Sequence, residues 1–281
     1  GSRPPLRRGA AVDCGLAHAL EVVAAPSVDG RRCRYEPYSG AFFPVWKIVM
    51  KEGNAMSAGL PRISVVMSTF NRADMLRKSL NSILALSPPP WEIIVIDDGS
   101  LDHTAAVLAE FASRVRFECR ANGGKSSAVN RGVAIATGDW IWICDDDDEV
   151  LPGAISVFSK GLKGPEKVDF VYTGMGHLIR DAGGDYRPVF PKTVHLPAPE
   201  TLEVNLFAGR WIPYLQPVLI RRDVYCALGG LREDLRRVED EDFALRLLHR
   251  GRGQPVGVYA VIGFKDGSHD FEVMTADPSR E

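Results

Sequence analysis

Five acidic residues follow one another in CDDDDE at 144–149, directly behind the apolar run WIWIC. Neighbouring carboxylates raise one another's pKa, and a loop at the end of a buried strand does not hold such a run comfortably without a cation. Hard divalent ions such as Mn2+ or Mg2+ prefer carboxylate and phosphate oxygens. Asp145, Asp146 and Asp147 are therefore candidates for a metal site that serves a phosphate-bearing ligand. The competing reading is a solvated acidic turn. An EF-hand is excluded, because the loop position that needs glycine holds Val150.

Two further stretches carry chemistry. VEDEDFALRLLHRG at 238–251 places Glu239 and Asp240 at the start of a helical pattern. Carboxylates there favour the helix dipole, and one of them can equally serve as a general base; spacing alone leaves both readings open. NGGKSS at 122–127 opens another helix and invites a phosphate-loop reading, but Cys119 stands where that pattern requires its first glycine. A helix N-terminus of this kind can still help to bind an anion. No GxGxxG follows the first strand, which argues against a nicotinamide dehydrogenase.

These groups need elements to carry them. ISVVMS at 63–68 and EIIVID at 92–97 are continuous apolar runs, as expected of parallel strands buried on both faces. Residues 115–119 and 140–144 read as a third and fourth strand. Between them the spacing predicts helices over 74–86, ending before Pro88, over 102–111 with Asp102 as cap, and over 126–136. Pro152 marks a further helix start. Strands alternating with helices predict an α/β fold with a doubly wound, mostly parallel sheet. Ligands bind such sheets at the carboxyl ends of the strands. Thr69 and Asn71, then Asp97, Asp98 and Ser100, then 145–148 all fall on that rim.

The second half is mixed. Strands are expected at 169–172, 216–220 and 256–262, and helices at 199–207, 222–228 and 240–250, with loops and a hairpin over 174–199. Tyr186, Trp211 and Tyr214 can stack on a sugar ring or pack in the core. Residues 1–60 form an arm rich in Arg, Pro and Gly, with a short helix expected at 16–23 and a strand at 45–50. The main domain is expected over 61–270 and a polar tail over 271–281.

Bulk properties narrow the field further. The 281 residues are 45% hydrophobic and 25% charged with a formal net charge of −2, so a nucleic-acid partner, which calls for a basic face, is not expected. Five widely spaced cysteines without a CxxC read as thiols in a reducing compartment rather than a zinc site. No apolar run reaches the roughly 18 residues of a membrane span. Asp13, His18 and Glu21 interrupt the one N-terminal stretch that resembles a signal-peptide core. The expected location is cytoplasmic, with peripheral attachment at the inner face of the membrane left open.

STFNR (68–72), IVIDDGSLD (94–102), NGGKSSAVNRG (122–132), GDWIWICDDDDEVLP (138–152) and VEDEDFALRL (238–247) together resemble the family 2 glycosyltransferases of the GT-A fold, in order and separation, over about 62–265. The resemblance implies a Rossmann-like nucleotide-binding half and a mixed acceptor half. It also implies inverting transfer from a nucleotide-sugar donor, a UDP-sugar being favoured, to a carbohydrate, lipid-linked or small-molecule acceptor, as in surface polysaccharide synthesis. Thr69, Asn71 and Asp98 would line the nucleotide pocket, and Gly124 and Lys125 would lie near base and ribose. Asp145, Asp146 and Asp147 match the DxD motif, Asp146 approaching the ribose and Asp147 holding the metal. Asp240 would be the general base with Glu239 beside it, and His269 an extra metal ligand. Val129 and Ser68 stand where the family often has Arg and Pro, which loosens any inference about the donor. A nucleotidyltransferase is disfavoured because STFNRAD is not a glycine-rich basic loop; a silent nucleotide-sugar-binding module is opposed by the intact Glu239–Asp240 pair.

Overall fold

The computed structural model describes residues 27–28, 31–32, 59–164, 167–180, 186–189 and 214–265. By compactness the chain divides into residues 1–36 and 37–281. In the first unit, β1 (Ser27–Val28) and β2 (Arg31–Arg32) form a two-stranded antiparallel ladder. The helices expected at 16–23 and 199–207, the strand at 45–50 and the tail lie outside the described residues.

The second unit begins with the predicted alternation. Strand β3 (Ile63–Thr69) leads to helix α1 (Ala73–Leu84), β4 (Glu92–Asp97) to α2 (Thr104–Phe111), and β5 (Arg116–Cys119) to α3 (Lys125–Ile135). Then come β6 (Trp140–Asp145), a two-residue β7 (Glu149–Val150) and α4 (Ala154–Gly161). The order β5–β4–β3–β6 is parallel throughout, so the chain reverses its winding direction beside β3. Ligands collect at such a switch point.

Side chains alternate across this sheet, as strand geometry requires. Val65, Met67, Val95 and Trp142 face one layer with Leu76, Leu80, Val107 and Phe158. Val66, Ile94, Ile96, Ile141 and Ile143 face the other, with Val129 and Val133 of α3. Both faces are dry, which is why these strands read as unbroken apolar runs.

The second half of the chain continues the same sheet with mixed direction. It comprises β8 (Phe170–Arg180), β9 (Tyr186–Val189), β10 (Val218–Arg221), α5 (Arg222–Ala227), α6 (Glu239–Arg250) and β11 (Gly253–Lys265). Strand β10 runs antiparallel between β6 and β8; β11 is parallel to β8 and antiparallel to β7. The hairpin expected after residue 174 is formed by β8 and β9, but β8 runs on to Arg180 through what reads as loop. Likewise β11 extends the strand expected at 256–262 in both directions, with register shifts around Tyr259. Among the described residues no helix is long and apolar enough to cross a membrane.

Candidate functional site

The loops at the carboxyl ends of β3, β4 and β6 meet on one rim, where the sequence places its polar clusters. Asp102 fastens two of them. One of its carboxylate oxygens accepts the Thr104 N–H at 3.0 Å, capping α2 as expected, and the other accepts the Ala73 N–H of α1 at 3.1 Å. Asn71, with a left-handed backbone (φ 53°), accepts the Leu101 N–H at 2.7 Å, and its own N–H donates to Ser100 Oγ at 2.8 Å. Its amide thus holds the DDGS loop in shape at the edge of the pocket.

Asp98 is buried and directed at the turn before α3. Its carboxylate accepts the Gly123 N–H at 3.0 Å and the Gly124 N–H at 2.7 Å, and Arg120 stands 3.6 Å away. Burial pushes the Asp98 pKa up, and the two amides and Arg120 only partly offset it. Gly124 has φ +91°, a conformation that disfavours any side chain there. Asp98 thus engages the two glycine amides that precede this helix start.

The acidic run divides its work. Asp146 turns inward: Thr69 Oγ1 donates to it at 2.7 Å and Arg72 at 3.1 Å, and the residue is 4% exposed. Burial raises its pKa to about 6 despite Arg72, with Asp147 and Asp145 adding like charge. Both of its oxygens therefore have protein partners. Arg72 also donates to Asp147 at 3.0 Å. Asp145, Asp147 and Asp148 each place one carboxylate oxygen within 4.8 Å of the others. Three hard oxygens at that spacing fit a divalent ion. Asp145 and Asp147 belong both to the metal candidates read from the sequence and to this triad, whereas Asp148 is added by the structure. His269 lies outside the described residues.

Asp145 joins the two halves. Lys125, the first residue of α3, approaches its carboxylate at 2.9 Å, and the Gln216 amide donates to the same group. Gln216 is held in turn through its carbonyl, which accepts the Trp142 indole N–H at 2.6 Å. Burial opposes the Lys125 charge, but Asp145 and then Glu239 and Asp240 hold its pKa above the usual lysine value. That ordering places the first turn of α6 within electrostatic reach of the strand end. Burial raises the Glu239 pKa; Lys125 opposes this, and Asp240 and Asp145 reinforce it. The Tyr214 phenol is pushed up by burial and then by Asp240, Asp148 and Glu241, so it lies within electrostatic reach of both the acidic loop and α6. Arg72, Asp148 and Gln216 are the site members that the sequence reading did not assign. Arg72 sits inside the quoted STFNR motif, a signal that was present; nothing in the pattern around Gln216 marks it.

The comparisons with known proteins agree with this arrangement. The model of the family "Glycosyl transferase family 2" matches residues 64–200. The uncharacterized glycosyltransferase YwdF of Bacillus subtilis is 30% identical over 204 residues, covering 72% of this chain and 73% of that protein. The uncharacterized glycosyltransferase YibD of Escherichia coli is 29% identical over 171 residues, 58% of this chain. The chain spans 49% of YibD and 34% of an uncharacterized glycosyltransferase of Rickettsia felis. Among solved structures, S. aureus TarS 1–349 superposes with a TM-score of 0.59 at 17% identity, over 72% of this chain and 60% of TarS. The same TarS fragment in complex with UDP-GlcNAc gives 0.60. The fold is GT-A, and the chain belongs to glycosyl transferase family 2.

Proposed function

We propose that this protein transfers a sugar, of the hexosyl class, from a nucleoside-diphosphate donor to an acceptor hydroxyl with inversion at the anomeric carbon. The observation that carries the reading is the Asp145–Asp147–Asp148 oxygen triad, whose Asp145 pairs with Lys125, a cation that Glu239 and Asp240 also influence. A cation-binding group and a separate pair of carboxylates are what a displacement with charge building on one side and a proton leaving on the other requires. TarS, which shares the fold, has been solved with UDP and with UDP-GlcNAc, and this supports a UDP-sugar as donor.

In this mechanism Asp145, Asp147 and Asp148 would hold Mn2+ or Mg2+, which would supply Lewis-acid stabilisation of the departing diphosphate's charge. Thr69, Asn71 and Asp98 shape the nucleotide pocket, with Gly124 and Lys125 at its floor. Asp240 accepts the acceptor hydroxyl's proton as that oxygen bonds to the anomeric carbon; the carbon–oxygen bond to the diphosphate breaks, and its electron pair leaves with the nucleotide. Glu239, kept less acidic by burial, orders the turn beside it.

The test is thermal unfolding with UDP, GDP, dTDP and CDP, each with and without Mn2+. A ligand that binds only the folded state raises the midpoint, by about 2.7 kcal/mol of stability at a hundred times its Kd. A shift with UDP that requires Mn2+ supports the reading. No shift with any nucleotide at millimolar concentration overturns it.

A further inference from the structure

The turn that precedes Glu239 and Asp240 is held on α3 chiefly through the Asn130 side chain, with Ser127 also bonded to Glu233. Asn130 lies in the middle of α3, on the helix whose first residue is Lys125. Its Nδ2 donates to the Leu231 carbonyl at 2.8 Å and to Glu233 at 3.0 Å. Its Oδ1 accepts the Leu231 N–H at 2.9 Å and the Tyr225 hydroxyl at 2.7 Å. All four polar directions of the amide, two donors and two acceptor lobes, go to residues 225–233.

These partners lead directly to α6. The Tyr225 ring packs on Phe243 of α6 with centroids 4.8 Å apart. Arg246 of α6 donates to the Leu228 carbonyl at 2.7 Å, at the mouth of the same turn, and pairs with Asp242 at 2.6 Å. The turn is built to receive Asn130. Gly230 has φ +68°, and a Cβ there would meet Asn130 Oδ1 at 2.5 Å. The geometry points to Asn130 as a positioning residue: it registers the first turn of α6, and with it Asp240, against the Lys125–Asp145 strand end.

The inference rests on the glycosyltransferase reading for its effect on turnover, but not for its effect on structure. Amide bonds alternating donor and acceptor in this way are sensitive to an isosteric swap. Asn130→Asp keeps both contacts at Oδ1 and sets a carboxylate oxygen against the Leu231 carbonyl and the Glu233 carboxylate. Repulsion there detaches the turn without emptying the core. A positioning role predicts loss of rate with retained donor affinity, since a misplaced catalytic group costs turnover before binding.

The experiment is amide hydrogen exchange together with kinetics on the full chain. In Asn130→Asp, amides of residues 231 and 240–243 should exchange at least tenfold faster, while those of β3 and β4 stay as in the wild type. The kcat for transfer from the UDP-sugar that the wild type accepts should fall at least tenfold, with the Kd for UDP with Mn2+ within twofold. Adding Glu233→Gln supplies a donor to the new carboxylate and should recover part of both losses. Tyr225→Phe, a milder change that removes one of the Oδ1 contacts, should give the same pattern at smaller size if Asn130→Asp does not fold. Unchanged exchange at 240–243, or a loss of kcat that tracks lost UDP affinity, overturns the proposal. Should the wild type neither bind nucleotide nor transfer sugar, the glycosyltransferase reading falls, and exchange in the variants still decides whether Asn130 registers α6.

Discussion

Lys125 Nζ and Asp145 Oδ1 stand 2.9 Å apart where helix α3 begins and strand β6 ends, and each side chain is about three-quarters buried. The ammonium is the cation closest to Asp145 in the described site, and Glu239 and Asp240 also feel it. Without it, Asp145 would face the acidic groups around it with the Gln216 amide and the more distant Arg72 to offset its charge.

Lys125→Met should therefore destabilise the metal-free protein. Breaking a buried pair costs more than an exposed one; for this partly exposed pair we expect roughly 1–3 kcal/mol. At about 2–4 °C per kcal/mol for a domain of this size, the unfolding midpoint should drop by several degrees. Saturating Mn2+ should recover part of the loss, because a cation at Asp145 replaces the missing charge. Calorimetry with and without Mn2+ reads both effects, and an unchanged midpoint in the metal-free protein would show the pair to be energetically silent.

The metal triad gives a sharper test. Asp147→Asn and Asp148→Asn each remove one anionic ligand and should lower Mn2+ affinity at least tenfold by isothermal titration. Asp146→Asn should affect Mn2+ affinity less than either, since its oxygens are directed to Thr69 and Arg72. Equal losses at all three positions would mean that the inward turn of Asp146 does not persist in the bound state.

This division within the acidic run also marks the limit of the sequence. The strands were legible because β3, β4 and β6 are buried on both faces, which forces apolar residues at Val65 and Val66 alike. The site's location was legible because polar residues directly after such runs must fall on one rim. Which aspartate points where depends on Thr69 and Arg72, more than seventy residues away in the chain. No local pattern carries that. The second half of the chain was harder for another reason. Its strands β8 and β11 contain glycines and, at Pro255, a residue that cannot donate to the ladder, so their length comes from pairing with each other rather than from propensity.

Glu92 supplies a pH test away from the metal. Burial pushes its pKa up, but Ser64 Oγ, the Thr137 N–H and hydroxyl and the Gly138 N–H all donate to it, and together they hold it below the ordinary glutamate value. A carboxyl whose pKa is lower folded than unfolded adds stability above the unfolded value and loses it as pH falls through the folded value. Glu92→Gln should thus be less stable than wild type at pH 7, and the gap should narrow below about pH 4.3. Urea unfolding at pH 7, 5 and 3.5 measures it; a gap that widens on acidification would contradict the assignment.

Gly132 tests the packing that carries α3. A Cβ there would lie 2.5 Å from Val66 Cγ1, a fully buried atom of the central strand. Alanine gains about 1 kcal/mol of helix propensity over glycine, but overpacking a tight core costs about 1–3 kcal/mol. The cost should win, so Gly132→Ala should lower the denaturation midpoint. Gly257→Ala, where no atom lies within 4 Å, should leave it nearly unchanged.

Asp240 carries the strongest prediction about chemistry. It opens α6 with Glu239, and its own carboxylate accepts the Glu241 N–H at 2.9 Å, so the first turn is partly self-capped. Asparagine preserves that acceptor while removing the basicity. Asp240→Asn should therefore fold normally and bind UDP with Mn2+ as the wild type does. General-base catalysis is worth about 10²–10⁴ in rate, so its transfer rate should fall by at least a hundredfold. Glu239→Gln lies nearer to Lys125 in electrostatic terms and should instead shift nucleotide affinity, with a smaller loss of kcat. The two variants thus separate proton removal from electrostatic support of the donor site. If Asp240→Asn kept full activity while Glu239→Gln lost it, the base would be Glu239, and its buried, less acidic carboxyl would be the group to follow through a pH–rate profile.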